Sequence, residues 1–561
     1  MMKILLIQPS LHSMATLSNI INKETIRDFD NSKFSFPLGI LSIGSLLEKH
    51  DYQVKILDLD KEFYPFLHND AGNHDIEYYF DKYLVDFTSR FNPDVVGISG
   101  NFNCNKSFIT VCCEKLKKFK KDLPIVLGGH YPTNCYRDIL ENDSNVDYII
   151  IGEGEEVMLQ FLEAIRENDF AFIEKHPNIV VKKNVLSDSP DSKFSALVQD
   201  LDKLPLINYE LLDCVEEYIA KSRNVRILFK REVSTRAVVM MTSRGCPFSC
   251  TYCASSNVHG KKIRAFSVDR VINEIDQLVE KYDINALIFE DDLFTFNRKR
   301  TVELSKGIYE RFGDRFFIEF SNGIAVAGLN EECIYWMAKS GMKQIHLAIE
   351  SGNQYVQDKI IKKRLALNKV KPVVELLKKY DVNIRAFFIM GFPGESLDMM
   401  RDTKNFAKEL KVDWAIFSFA SPVVGSELYE TARMNNQLIS ANSDATTYFE
   451  AQLKTKEWTH KEVEDIQEEA NYEVNFLGNY NLIEGKYEKC VRIFSDIRAD
   501  YPKHLIAHYC LWKTQIGKGD LSSSNKTKKN IFDILKSDEG SKAILDKYNL
   551  SHVEPFVDFL E

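Results

Sequence analysis

No uninterrupted apolar run in these 561 residues approaches the roughly 20 residues that a helix needs to cross a bilayer, so a membrane span is not expected. The start, Met1-Met-Lys-Ile-Leu-Leu-Ile-Gln-Pro9, lacks the longer apolar region and small-residue cleavage site of a signal peptide and reads as a buried first strand. Basic charge is in short supply: 72 Lys and Arg stand against 82 Asp and Glu, a formal charge of −10, which gives no support for a nucleic-acid partner. The run Lys115-Leu-Lys-Lys-Phe-Lys-Lys121 falls on an amphipathic helical pattern and reads as a solvated face. The 11 cysteines lack the even count and regular spacing of a disulfide framework, which points to a reducing, cytoplasmic setting. No Gly-x-Gly-x-x-Gly follows the first strand, which argues against a dinucleotide-binding fold.

What is present is one cysteine triplet. In Thr242-Ser-Arg-Gly-Cys-Pro-Phe-Ser-Cys-Thr-Tyr-Cys-Ala254, Cys246, Cys250 and Cys253 have the spacing CxxxCxxC, with Tyr252 directly before the last cysteine. Thiolates are the usual ligands of a [4Fe–4S] cluster, which normally takes four of them. Three within eight residues hold three irons and leave the fourth open to a substrate or cofactor. The alternatives are a zinc knuckle and three structural thiols. Zinc sites usually draw ligand pairs from separate turns, and the nearest cysteines outside the triplet, Cys214 and Cys333, are isolated.

Along the chain, apolar runs at 3–7, 54–59, 94–99, 125–128 and 148–152 alternate with helical periodicity at 40–49, 108–119 and 155–165, the pattern of a parallel α/β sheet. We therefore expect a first domain over 1–190, ending in the polar stretch 182–195, and a linker over 191–235 that contains a helical 209–220. A second alternating region over 236–440 has strands at 238–242, 286–290, 316–321, 344–350, 384–390 and 414–419. Six strands separated by helices predict a (βα)6 partial barrel with its chemistry at the C-terminal strand ends, where the triplet falls. From 441 to 561 strand signals give way to helical ones. There, Gly485-Lys-Tyr-Glu-Lys-Cys-Val-Arg-Ile-Phe-Ser495 with Ala507-His-Tyr-Cys510 resembles one tetratricopeptide-type hairpin. A helical cap on the barrel and a partner-binding module both fit it.

The triplet resembles that of the radical S-adenosylmethionine (SAM) enzymes, whose open iron chelates the amino and carboxylate groups of SAM. Segments downstream are similar to the same family in order and spacing. Phe289-Glu-Asp-Asp-Leu-Phe-Thr295 ends the second barrel strand, and the resemblance implies that Glu290 or Asp291 binds the methionine ammonium; the alternative is helix capping by these carboxylates. Ser321-Asn322-Gly323 and Glu350-Ser351-Gly352 end the third and fourth strands, where the resemblance implies that short polar groups hydrogen-bond the ribose and carboxylate of SAM. Ile389-Met-Gly-Phe-Pro-Gly-Glu395 resembles the adenine-contacting stretch, with Gly391 at its centre. The resemblance also places Tyr252 beside SAM.

In the first domain, Ser99-Gly-Asn101 and Gly128-Gly129-His130-Tyr-Pro-Thr133 resemble the Ser-x-Leu and Gly-Gly elements of cobalamin-binding Rossmann-like domains, with Asn101 in place of the leucine. The following loop, Gly152-Glu153-Gly-Glu155, and the opening Phe36-Pro-Leu-Gly-Ile40 are similar to cobalamin-dependent radical SAM proteins. The resemblance implies that Ser99, Asn101, Gly128, Gly129, His130, Thr133, Gly152 and Glu153 surround cobalamin. Many cobalamin domains carry Asp-x-His-x-x-Gly after the first strand. Here Ser10-Leu-His-Ser-Met-Ala15 keeps His12 but loses the carboxylate that would orient it, so His12 is not expected to ligate cobalt.

The family resemblance, covering residues 1–430, implies an enzyme with three cofactors: a [4Fe–4S] cluster, SAM and cobalamin. It implies cleavage of SAM to a 5′-deoxyadenosyl radical and, in a methyltransferase, delivery of a methyl group from methylcobalamin to an unactivated carbon. It also implies an electron donor such as flavodoxin or ferredoxin. The rivals are a non-methylating member that cyclises, rearranges or oxidises its substrate, and a cobalamin-binding scaffold that does not cleave SAM. A methylthiotransferase would need a further cysteine set, for which Cys104, Cys112, Cys113 and Cys135 are the candidates.

Overall fold

The computed structural model describes residues 1–22, 34–71, 74–186, 197–220, 235–440 and 450–560. Its first strand, β1 (Lys3–Gln8), buries Ile4, Leu5, Leu6 and Ile7. Such a continuous apolar run marks a strand covered on both faces of a parallel sheet. β1 is joined by β2 (Gln53–Asp58), β3 (Val95–Ser99), β4 (Ile125–Gly128), β5 (Tyr148–Ile150) and β6 (Ile179–Val181) in the order β2-β1-β3-β4-β5-β6. Only β6 runs antiparallel to its neighbour. It was not expected, because three residues carry no legible periodicity. Of the polar stretch 182–195, Lys182–Leu186 is a short helix, and 187–196 lies outside the described residues.

The barrel has six parallel strands: β7 (Ala237–Met240), β10 (Ala286–Phe289), β11 (Phe317–Phe320), β12 (Gln344–Glu350), β13 (Asn383–Met390) and β14 (Trp414–Phe419). They form two sheets, β11-β10-β7 and β12-β13-β14, which a parallel bridge between Ile324 and Leu347 links into the expected open barrel. A small hairpin, β8 (Ser243–Arg244) with β9 (Arg264–Ala265), brackets the cysteine loop. The helices follow local rules. In Val268–Tyr282 the buried residues Val271, Ile275, Leu278 and Tyr282 recur every three or four positions, Ser267 caps the first turn through the Arg270 amide, and left-handed Asp283 ends it. Losing such a cap costs about 1 kcal/mol.

One apolar core runs from the first sheet, through Phe36, Tyr209 and Tyr218, into the barrel strands. The described part of the linker is thus wedged between the two domains: the Tyr209 hydroxyl donates to Val239 O at 3.3 Å and the Tyr218 hydroxyl to Asp58 at 2.6 Å. The C-terminal helices cap the open barrel edge. Asn475 exchanges two hydrogen bonds with the Ala415 backbone, at 2.8 and 2.6 Å, and so satisfies an exposed strand edge. Trp414 packs on Phe476 of this cap, so it is core rather than site. The expected hairpin is present as helices Tyr487–Asp500 and Leu505–Gly517, with a third helix, Leu521–Ser537, against the second.

Candidate functional site

The cysteine loop is built by the carboxylates that follow β10. Asp291 is buried and accepts the Thr242 amide at 3.0 Å, the Thr242 hydroxyl at 2.8 Å and the Ser243 hydroxyl at 2.5 Å, fixing the chain where the loop leaves β7. Asp292 ties the loop's two ends together by accepting from the Gly245 amide at 3.2 Å and from the Ser255 hydroxyl. Gly245 is obligatory. Its φ is +91°, and a Cβ there would stand 2.5 Å from Lys262 O. From the far side, Thr251 docks through its amide and hydroxyl on the carbonyls of Ile361 and Ile360 at 3.1 and 3.0 Å.

Cys253 is exposed to a cavity of about 950 Å³ that lies between the first domain and the barrel. Its desolvated position there pushes its thiol up to about 11, and burial also raises Cys246 and Cys250, opposed chiefly by the Phe248 amide at Cys246 and by the Lys363 ammonium at Cys250. Coordination deprotonates such thiols outright. Among the described residues no three His, Cys, Asp or Glu side chains close on a single metal ion. A [4Fe–4S] cluster, which asks one thiolate of each iron, suits a loop that presents three separate thiols. Of the four candidates for a further cluster set, Cys112 and Cys113 are buried in the first domain's core with their thiols driven upward by burial, while Cys104 and Cys135 are only half-buried.

Around the cavity mouth the barrel contributes Tyr252, Glu290, Asn322 and Glu350, all of which line it. Tyr252 packs against Phe392 with ring centroids 5.9 Å apart. Asn322 donates to Glu290 O at 2.8 Å. Glu350 stands at φ +73°, a strained conformation for a non-glycine residue, and forms an ion pair of 2.7 Å with Lys363. Lys363 carries no motif in the sequence and was not singled out there.

Four of the expected SAM contacts face elsewhere. Asp291 is occupied as described above. The Ser321 hydroxyl is buried outside the lining. Ser351 bonds the Thr403 hydroxyl at 3.1 Å. Gly391 donates to Glu395 at 2.9 Å and is covered by Val463 of the C-terminal cap, while Ile389 and Phe387 reach the cavity instead. Burial raises Glu395 to about 8, although the Gly391 and Phe392 amides oppose it.

The first domain supplies the opposite wall. Ser99, Asn101, Gly128, Gly129, His130 and Gly152 line the cavity, and beneath them Leu6, Ile40, Ile43, Val126, Ile150 and Met158 form an apolar slot beside the sheet. Gly129 has φ +101°, and a Cβ would lie 2.7 Å from Gly100 O, so only glycine lets this loop pack against the loop that follows β3. Thr133 does not line the cavity; its hydroxyl accepts the Gly152 amide at 3.1 Å and pins two loops together. Leu11 reaches the cavity, whereas His12 does not. An apolar slot with a polar, glycine-lined rim fits the nucleotide tail of cobalamin.

Glu153 borders the cavity, but its carboxylate is spent on the barrel. Arg264 binds it through two nitrogens at 2.7 and 2.8 Å, His259 Nδ1 lies at 3.1 Å, and Arg244 at 3.6 Å also reaches Glu155 at 2.6 Å. Burial pushes Glu153 up, but the bonds from His259 and Arg264 and the two arginine charges outweigh it and hold the carboxyl at about 2. His259, Arg244 and Arg264 were not singled out in the sequence. Residues so far apart leave no local signal.

His130 faces His259 at 5.8 Å between ring centroids. Burial, then the neighbouring imidazole, lowers His130 to about 4, so it is neutral at pH 7. A depressed histidine contributes stability that is present above its unfolded pKa of about 6.5 and is lost as pH falls through about 4. Between pH 7.5 and pH 5 the native chain should therefore lose about 2 kcal/mol more than His130→Gln. Urea unfolding at the two pH values measures this, and equal losses would refute it.

The radical SAM superfamily model matches residues 240–407, and the B12-binding domain model matches residues 33–162. An uncharacterized methyltransferase of Pyrococcus horikoshii is 29% identical over 437 residues, 77% of this chain and 86% of that protein. The cytidylyl-2-hydroxyethylphosphonate methyltransferase of Streptomyces wedmorensis is 28% identical over 433 residues, 72% of this chain and 79% of that protein. Among solved structures, the cobalamin-dependent SAM radical enzyme OxsB has the same fold, with a TM-score of 0.63 at 14% identity, over 100% of this chain and 83% of that one.

Proposed function

Because the chain belongs to the cobalamin-dependent radical SAM enzymes, we propose that it methylates an unactivated carbon of an organic substrate held in the interdomain cavity. The observation that carries this reading is the cavity itself, where the cysteine loop on one wall faces the glycine-rim slot on the other. When bound, the cluster with SAM supplies the radical that opens a C–H bond, and cobalamin supplies the methyl group. The chain's own residues hold and orient. Cys246, Cys250 and Cys253 ligate the cluster, while Tyr252, Glu290, Asn322 and Glu350 hold the polar groups of SAM. Ser99, Asn101, Gly128, Gly129, His130 and Gly152 surround cobalamin.

Lys363 sets the orientation of Glu350. Lys363→Met should lower SAM cleavage ten- to a hundredfold, the equivalent of about 1.5–3 kcal/mol for a charged hydrogen bond. Iron content and the cobalamin spectrum should stay unchanged. A variant that cleaves SAM at the native rate sinks this role.

No helix among the described residues is long and apolar enough to cross a membrane. All 11 cysteines are free thiols, which suits the cytoplasmic setting we propose. Reconstitution under anaerobic conditions with methyl-labelled SAM tests the function. Release of 5′-deoxyadenosine with label retained in a product is expected. Release without label transfer would favour cyclisation or another non-methylating reaction, and cobalamin uptake without SAM cleavage would leave only a scaffold.

A further inference from the structure

One carboxylate on the cavity wall takes no part in the sites described above. Glu274 lines the cavity from helix Val268–Tyr282, and among the described residues no hydrogen bond or ion pair reaches it. The other carboxylates of that wall all have partners, as Asp58 has the Tyr218 hydroxyl and Asp60 the Leu11 amide at 2.9 Å. Arg270, one turn earlier, is committed elsewhere. Its guanidinium donates to the linker carbonyls of Asp202, Leu204 and Pro205 at 3.2, 2.7 and 2.9 Å and lies over the Phe266 ring. Leu204, Pro205 and Phe266 line the cavity too, so this corner of the wall is otherwise apolar. Burial pushes the Glu274 carboxyl up to about 7 against the pull of Arg270. A desolvated carboxylate without a donor costs free energy, and a native chain keeps one chiefly where a ligand or a water completes it.

The slot beside the first sheet is the neighbour of this corner. Helix Leu38–Lys49 forms one side of the slot through Ile40 and Ile43. The same helix receives the linker, whose Asn208 amide donates to the Ser45 hydroxyl at 2.8 Å. The linker residues that Arg270 fixes thus bridge from the slot helix to the helix of Glu274. The proposed SAM contacts end strands inside the barrel, whereas helix Val268–Tyr282 lies on its outside, against the linker.

We propose that Glu274 accepts a hydrogen bond from an uncharged N–H or O–H donor on the rim of bound cobalamin. The inference rests on the cobalamin site proposed above. Cobalamin carries two such kinds of donor, the carboxamides around its corrin ring and the ribose hydroxyl of its nucleotide tail. Glu274 gives the barrel a grip on a cofactor that otherwise belongs to the first domain, so the two domains clamp it between them.

The test is titration of the cluster-loaded, cobalamin-free enzyme with hydroxocobalamin and with cobinamide, which keeps the ring carboxamides but lacks the nucleotide tail. Corrin absorbance reads the binding. Glu274→Leu should weaken hydroxocobalamin binding about ten- to a hundredfold, the range of a hydrogen bond to a charged group. Glu274→Gln keeps an oxygen acceptor and should lose less. An equal loss with cobinamide supports the proposal and assigns the donor to a ring carboxamide; a loss confined to hydroxocobalamin supports it and assigns the donor to the tail. Urea unfolding of the cobalamin-free chains separates binding from folding. Removing an unpaired, desolvated carboxylate should leave both variants at least as stable as the native chain. Native-like binding of both corrinoids by Glu274→Leu would overturn the proposal, since the carboxylate would then meet only water or substrate. Lower stability of both cobalamin-free variants would overturn it as well, in favour of a structural role. If the native chain takes up neither corrinoid, the proposed cobalamin site itself fails and takes this inference with it.

Discussion

A Cys250→Ala chain reconstituted with iron and sulfide is expected to show no [4Fe–4S] absorbance and to form 5′-deoxyadenosine only at background, while still taking up cobalamin. In the proposed ligand set all three protein thiolates come from one loop, so removing the middle thiol leaves two, too few to retain a cluster with a single open iron. The loop itself should survive. Its ends are tied by Asp292, its start by Asp291, and its far side by Thr251 on the carbonyls of Ile360 and Ile361. The proposed cobalamin slot stands on a different sheet, β2-β1-β3-β4-β5-β6, and needs none of these contacts. Iron analysis, the visible spectrum and cobalamin titration check all three outcomes in one preparation. A variant that keeps both cluster and cleavage would remove Cys250 from the ligand set.

Arg264→Ala should have the largest effect on stability. It strips the main cation from Glu153, whose side chain is 1% exposed, and breaking a buried pair from one side costs about 3–5 kcal/mol because an uncompensated charge remains. Arg244 softens the loss only in part, since its closer bond goes to Glu155. The functional consequence differs from that of losing a cysteine. Glu153 sits on the first domain and Arg264 on the hairpin that brackets the cysteine loop, so the pair sets the distance between the two proposed cofactor sites. SAM cleavage should persist while methylated product falls, uncoupling the two. The double variant Glu153→Leu with Arg264→Met removes both charges and should recover much of the stability, as apolar replacements of buried pairs often do. Denaturant unfolding and the ratio of product to 5′-deoxyadenosine give the two readouts. If the single and double variants are equally unstable, the ion pair is not the cause.

Several site residues were legible because their signals are local. The triplet lies within eight residues, and the apolar runs that became β1, β3, β4, β12 and β14 each span one strand. The loops ending those strands could be placed in order, and Tyr252, Glu290, Asn322 and Glu350 do meet at the cavity. Asp291, Ser321, Ser351 and Gly391 sit in the same short stretches yet turn away from it. A motif fixes which residues end a strand, but the rotation of each side chain depends on neighbours such as Thr242, Thr403 and Val463. Glu153 shows the same limit from the other side: its loop was read correctly, but its partner is a barrel arginine 111 positions away.

The sequence by itself determined the cysteine loop, the two alternating α/β regions and the helical tail, because periodicity and ligand spacing act over a few residues. Only the tertiary structure decided that the loop faces the glycine-lined slot across one cavity, that Lys363 turns in on Glu350, and that the Glu153, Arg244, Arg264 and His259 side chains lock the domains together. Those arrangements come from burying charges that are comfortable in water and must therefore find each other across the chain once the core excludes it.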